Sequence, residues 1–368
     1  MIEIVWYIII TLMLAVYAVL DGFDFGAGII HLFFAKTEKD KQAIVNSIGP
    51  FWDANEVWLL ASGGILFFAF PTVYASSFSG FYLPLMMILW LLIFRAIGIE
   101  LRHQINHPMW HAVWDKLFGI SSFLLALFFG LAVGNIVRGV NLGGVINGIN
   151  SFEPHYFFLP LWNSTLSPFE ANLGVIDWFT LMLGLVGLVS ITIHGATWVI
   201  FKTNCSINYN LKKQIPILGL IQLFLVLVSL SIWHFVRSNP FANFSEFPIF
   251  ILFPILMFLG IFGNIFINHF KNDHVGFIFS TIFLLSGFFS TSISLFPVLL
   301  HSTHNINPSL TIYNTSSPEY GLIIGLKWFS IAFILVVFYT ILQFKIFSGK
   351  RDDIKHVDDN EISVGIKK

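Results

Sequence analysis

Residues 4–34 read IVWYIIITLMLAVYAVLDGFDFGAGIIHLFF. A helix needs roughly 20 apolar residues to cross a bilayer core of about 30 Å, and this run exceeds that length. It is also continuous, whereas a membrane β-strand alternates and stops near ten residues. Eight further runs follow, at about 52–74, 78–101, 117–138, 175–201, 214–236, 247–268, 275–298 and 322–346. The pattern predicts an all-α polytopic membrane protein with about nine transmembrane helices. Composition agrees: of 368 residues 56% are hydrophobic and 11% charged, with a mean hydropathy of +0.81. Soluble domains carry about 25% charged residues, so this chain could not cover a water-facing surface. Cytosolic enzymes, nucleic-acid binders and disordered scaffolds are excluded, and a net charge of −1 offers no attraction to DNA or RNA. The start, Met1-Ile2-Glu3, lacks a basic region and no small-residue cleavage site follows, so span 1 is expected to be retained.

Lysine and arginine set the orientation. Fifteen of the nineteen fall on one side, at Lys36, Lys39 and Lys41, at Arg102 and Lys116, at Lys202, Lys212 and Lys213, at Lys271, and from Lys345 onward. The other side has Arg138 and Arg237. The expectation is a cytoplasmic C-terminus and, with an odd number of spans, an N-terminus outside. Residues 1–348 form one membrane domain, with helices 1–4 over about 4–138 and helices 5–9 over about 175–346; residues 349–368 form a cytoplasmic tail. The longest connection, 139–174, is rich in Asn, Gly, Ser and Pro. A faint duplication relates Phe25-Gly26-Ala27-Gly28 to His194-Gly195-Ala196-Thr197.

An acidic side chain deep in a bilayer costs about 2.5–3.5 kcal/mol on insertion scales, so each needs an explanation. Asp21 and Asp24 lie in span 1, Asp53 and Glu56 in span 2, Arg95 and Glu100 in span 3. Counting helix rise from each span's start brings all six toward the cytoplasmic leaflet, where they are expected to form a polar cavity. Asp21 and Asp24 are three apart, as are Asp53 and Glu56, so each pair shares a helix face. Gly22 and Gly26 have the spacing that lets another helix approach. Crowded carboxyls with poor solvation carry protons, which points to a proton pathway through Asp53 and Asp24, with Asp21, Glu56 and Glu100 contributing. Arg95 sets the local charge, and Trp52 stands next to Asp53. The competing reading is a structural ion-pair network.

Metal and haem signals are thin. His103, His107 and His111 have helical spacing, but Pro108 interrupts the face. His194 is the one weak haem-ligand or metal candidate within a span, and a core histidine bonded to a neighbouring helix is the better reading. The single cysteine, Cys205, excludes a disulfide framework, and no P-loop appears.

Longer motifs carry a resemblance. Asp21-Gly22-Phe23-Asp24-Phe25-Gly26-Ala27-Gly28 and Asn46-Ser47-Ile48-Gly49-Pro50-Phe51-Trp52-Asp53-Ala54-Asn55-Glu56-Val57-Trp58 resemble signatures of cytochrome bd quinol oxidase subunit II. Phe70-Pro71-Thr72-Val73-Tyr74-Ala75, Gly130-Leu131-Ala132-Val133-Gly134-Asn135, Gly195-Ala196-Thr197-Trp198 and Ser309-Leu310-Thr311-Ile312-Tyr313-Asn314 fit as well. The match is close over 21–138 and weakest over 139–175 and 203–280.

The resemblance implies two four-helix bundles plus one helix in a bacterial inner-membrane protein. It implies a haem-bearing subunit I as partner, with a small single-helix accessory subunit and membrane lipid as further candidates. The b- and d-type haems are expected in that partner and none in this chain alone. The complex would oxidise quinol and reduce dioxygen to water, drawing protons from the cytoplasm. By position Asp53 would be the main proton-path carboxylate, supported by Asp24 and Asp21. The resemblance allows either Glu or Gln at position 56, so Glu56 need not be essential. Two other functions compete: a proton-coupled secondary transporter, and a redox protein that binds haem itself.

Overall fold

Breaks in the apolar runs fall where the backbone cannot continue as a helix. In a computed structural model of the chain, which describes residues 1–237 and 239–350, α1 spans Ile2–Phe33 and ends before Lys36. Thr37 then caps the short helix α2, Glu38–Ile48, by accepting from the Asp40 amide at 3.1 Å. Gly49-Pro50 separates α2 from α3, Trp52–Ala69. Proline lacks an N–H and suits the first turn of a helix. Pro71 accordingly ends one helix and opens another, α4, Pro71–Gly80. Span 2 therefore stops at Ala69 rather than at 74. Next come α5 (Tyr82–Leu101) and α6 (Pro108–Arg138), the latter starting nine residues before the expected 117.

The second half repeats the scheme with α7 (Trp178–Lys202), α8 (Asn208–Val236), the short α9 (Ala242–Glu246), α10 (Leu252–Ile265) and α11 (His274–Leu295). A last helix, α12, covers Glu319–Ile346. Among the described residues, eight helical segments are long and apolar enough to cross a membrane. The ninth expected span, α3, has 18 residues and carries Asp53, Asn55, Glu56 and Ser62, so it is less apolar than the others. The tail expected at 349–368 lies outside the described residues from 351 onward.

Two central helices organise the packing. α1 is buried all round from Val19 to His31, and α7 from Ser190 to Ile200. α1 touches α3, α6, α7 and α11; α7 touches α6, α8 and α11. They cross where Gly26 meets Gly195: a Cβ on Gly26 would sit 2.3 Å from the Ile191 carbonyl oxygen, and one on Gly195 2.1 Å from the Gly26 carbonyl carbon. No other residue allows that approach. One set of helices comprises α1, α3, α5 and α6, and α7, α8, α10 and α11 form the other. α12 rests mainly on α1, with only 6% of its apolar window buried.

The 139–174 connection is folded over the end away from most lysines. Val140 donates to the His301 carbonyl at 2.9 Å and accepts from Thr303 at 3.0 Å, tying it to the hairpin Val298–Leu300 and Leu310–Thr311. Arg138 anchors the same region by pairing with Asp177, bonding the Gly174 carbonyl at 2.9 Å and the Asn135 side chain at 2.7 Å.

Candidate functional site

The DGFDFGAG segment is buried throughout, and its polar groups meet others from α3 and α5. Arg95 projects from α5 and pairs with Asp21 of α1 and Glu56 of α3. Asp24, one turn beyond Asp21, accepts from Asn55 Nδ2 at 2.8 Å; the same amide donates to the Leu20 carbonyl at 3.1 Å. Asp21, Asp24 and Arg95 are fully buried, while the Glu56 side chain is 31% exposed. The Phe25 ring lies 4.6 Å from the Arg95 guanidinium carbon and covers it. The expected open cavity is instead a packed cluster, with one oxygen each on Asp21 and Asp24 lacking a partner among the described residues.

Four of the predicted site residues, Asp21, Asp24, Glu56 and Arg95, therefore come together. Asp53 and Glu100 do not join them, and both are exposed. Helix geometry explains the first. Asn55 faces inward onto α1, and a residue two positions away is turned by about 200°, so Asp53 points outward. Glu56 lies between these directions and reaches both the buried arginine and the surface. Glu100 sits on the last turn of α5, beyond the reach of Asp21. Trp52, next to Asp53, is half-buried, and Gly22 faces the Ile191 side chain, 2.9 Å from where a Cβ would be.

Asn55 carries no signal of its own in the sequence; its contact with Asp24 is visible only once the inward face of α3 is known. A second network at the lysine-rich end was missed altogether. Asp115 of α6 accepts from Arg102 Nε at 2.6 Å and from Lys41 Nζ at 2.9 Å, with His31 Nε2 at 3.3 Å. Arg102 also donates to Gln42 at 2.6 Å and to Glu38 at 2.9 Å, and His111 lies 3.5 Å from Glu38. Partial burial alone would lower the Lys41 ammonium's value, but the hydrogen bond and charge of Asp115 outweigh it and raise it. Sequence order could have flagged Asp115, which follows His111 by one turn.

His194 does not offer itself to an iron. Its Nε2–H donates to the Val19 carbonyl at 2.9 Å, the Ser280 hydroxyl lies 2.8 Å from Nδ1, and Phe277 stacks on the ring. His31, the other buried histidine of the spans, is turned to Asp115. These two residues do not fit a haem. His103, His107 and His111 share no helix face, because α6 begins at Pro108 and His107 only caps it.

The cytochrome bd terminal oxidase subunit II profile matches residues 2–347. The chain belongs to that family. A probable cytochrome oxidase subunit 2 of Haemophilus influenzae is 29% identical, covering 98% of this chain and 97% of the relative. The cytochrome bd-I ubiquinol oxidase subunit 2 of Escherichia coli K12 is 28% identical over 91% of each chain. The bd oxidase of Geobacillus thermodenitrificans has a chain of the same fold, with a TM-score of 0.62 and 11% identity over 94% of this chain and 97% of that one. Subunit II of a bd oxidase is part of an oxidoreductase complex of respiratory electron transport and implies a partner subunit. With eight membrane-length helices among its described residues, the chain is a multi-pass protein of the bacterial cell membrane. A free-standing transporter is not favoured.

Proposed function

We propose that this chain pairs with a haem-bearing subunit I in a quinol oxidase that reduces dioxygen to water, and that its acidic cluster delivers protons to that chemistry from the cytoplasm. In this reading the lysine-rich end is cytoplasmic, residues 1–348 act as one membrane unit, and the b- and d-type haems reside in the partner. The observation that carries the proton role is the composition of the cluster. Three carboxyls, Asp21, Asp24 and Glu56, face one guanidinium, Arg95, so the cluster is neutral only when it holds two protons. Asp21 and Asp24 are the store, sealed from water. Glu56 is the exchange point, because the same side chain touches Arg95 and reaches the surface of α3. Asp53, one turn nearer the lysine-rich end and exposed, is the entrance, with Trp52 beside it; Glu100 collects protons at the rim. Arg95 keeps one negative charge in place without letting it leave.

The test is quinol-driven oxygen consumption by the two-subunit complex carrying Asp24→Asn or Asp53→Asn. Turnover is expected to fall at least about tenfold, as for loss of a proton-transfer group, with the haem spectrum and co-purification intact. Unchanged turnover in both variants would end the conduit reading. Failure of the chain to purify with any haem-bearing partner would end the subunit reading instead.

A further inference from the structure

The faint repeat in the sequence extends into the packing. Gly26 and Gly195 are 169 positions apart, as are Gly28 and Thr197. A Cβ on Gly28 would meet the Ser122 hydroxyl of α6, and Thr197 Oγ1 lies 3.1 Å from the Ser280 hydroxyl of α11. Gly98 packs on Phe118, and Ile267, again 169 positions on from Gly98, packs on Gly276. Helix by helix, α1 corresponds to α7, α3 to α8, α5 to α10 and α6 to α11.

The same offset of 169 takes Asp21 to Ser190 and Arg95 to Asn264; an offset of 166 takes Glu56 to Gln222. All three counterparts are buried: Ser190 is 3% exposed, Gln222 1% and Asn264 1%. Two of them, Gln222 and Ser190, also meet. Gln222 Nε2 donates to Ser190 Oγ at 2.8 Å, joining α8 to α7 directly, where Glu56 of α3 reaches Asp21 of α1 through Arg95 of α5. What is missing is reach. Asparagine is far shorter than arginine, and serine is shorter than aspartate. Gln222 Oε1 and both amide atoms of Asn264 consequently have no hydrogen-bond partner among the described residues. Polar atoms inside a membrane protein must be satisfied internally, and a shortened side chain leaves space as well as unmet hydrogen bonds.

We propose that Ser190, Gln222 and Asn264 form an uncharged copy of the Asp21–Glu56–Arg95 cluster, and that Gln222 and Asn264 bind ordered water where Arg95 places its guanidinium. A water molecule is the occupant that matches the chemistry. The free groups comprise two acceptors and one amide donor with no net charge, which suits a small molecule that both donates and accepts. The copy holds helices together through water and takes up no protons.

Two measurements on the intact two-subunit complex test this. A structure at a resolution that shows waters is expected to place at least one within hydrogen-bond distance of Gln222 Oε1 and the Asn264 amide. Side chains turned to bond one another or other protein groups, with no water between them, would overturn the hydration. Thermal unfolding of variants tests the copy itself. Asn264→Arg alone is expected to lower the midpoint, and adding Ser190→Asp and Gln222→Glu to restore at least half of the loss. A triple variant no more stable than the single, or a single variant as stable as the wild type, would overturn the correspondence.

Discussion

Two ionic networks lie on the same side of the first bundle, and they differ in how their charges balance. At the lysine-rich end, Asp115 and Glu38 face Arg102 and Lys41, with His31 and His111 alongside, so acids and permanent bases match in number. Deeper in, Asp21, Asp24 and Glu56 share Arg95 alone. The first arrangement resembles a clamp: each charge has its opposite, and α1, α2, α5 and α6 are fixed together. The second is short of positive charge in the place where an unbalanced charge is hardest to bury. In the proposed reading, balance marks a structural network, and imbalance, held by tight packing, marks a proton site.

The largest effect that could break this contrast is at Arg95. Arg95→Met leaves its two ion-pair partners, the buried Asp21 and the part-exposed Glu56, without their cation, a change expected to cost about 3–5 kcal/mol. Co-purification of the subunits and their thermal unfolding should both suffer. Adding Asp21→Asn and Glu56→Gln removes the stranded charge and should return most of the stability. Oxygen consumption should stay low in that triple variant. If turnover returned with stability, the inner network would be a clamp as well.

Asp115→Asn is the matching change in the outer network. It strips Arg102 and Lys41 of a buried acceptor and should destabilise the complex by about 3 kcal/mol. Turnover per assembled complex should be unchanged, since the proposed path does not lead through it. A loss of turnover larger than the loss of assembled complex would assign proton traffic to the outer network too.

The sequence made the inner network largely legible and the outer one hardly at all. Apolar runs are long and acids within them few, so Asp21, Asp24, Glu56 and Arg95 stood out, and helix rise put them at one level. Which face of α3 turns inward was not legible, because α3 is polar on more than one side. Asn55 and Asp53 differ by half a turn, and only the packing on α1 shows that Asn55 is the inner residue. The outer network was hidden by a boundary. Asp115 precedes the apolar run that begins at 117, whereas α6 starts at Pro108 and carries Asp115 on its second turn. Arg102 counted only as an orientation marker, although it is 2% exposed. The break at Pro71 was visible, but its consequence, a separate α4 rather than the end of a span, depends on the chain continuing helical beyond it.

The smallest effects come from charges at the membrane surface, and their pH windows separate surface pairs from either network. Asp273 accepts from Lys212 at 2.7 Å and Lys350 at 2.6 Å, joining the start of α11 to α8 and to the segment after α12. Burial by itself raises its carboxyl, but the two lysines outweigh this and hold it below its ordinary value of 3.8. A depressed acid stabilises the fold above its unfolded value and loses that contribution as pH falls through the folded one. The Asp273 contribution should therefore vanish only below about pH 3.8, and Asp273→Asn should remove it at neutral pH. Lys41, raised above its ordinary 10.5, has the opposite sign: its contribution persists below that value and fades as the solution becomes more alkaline. Thermal midpoints measured against pH and salt should show both. The Asp273 effect should shrink with added salt, because its partners are partly exposed, and the Lys41 effect should resist it, because Asp115 is buried. Equal salt sensitivity of the Asp273 and Lys41 contributions would mean that the outer network is no better shielded than a surface pair, and the contrast with the sealed cluster beneath it would then rest on depth alone.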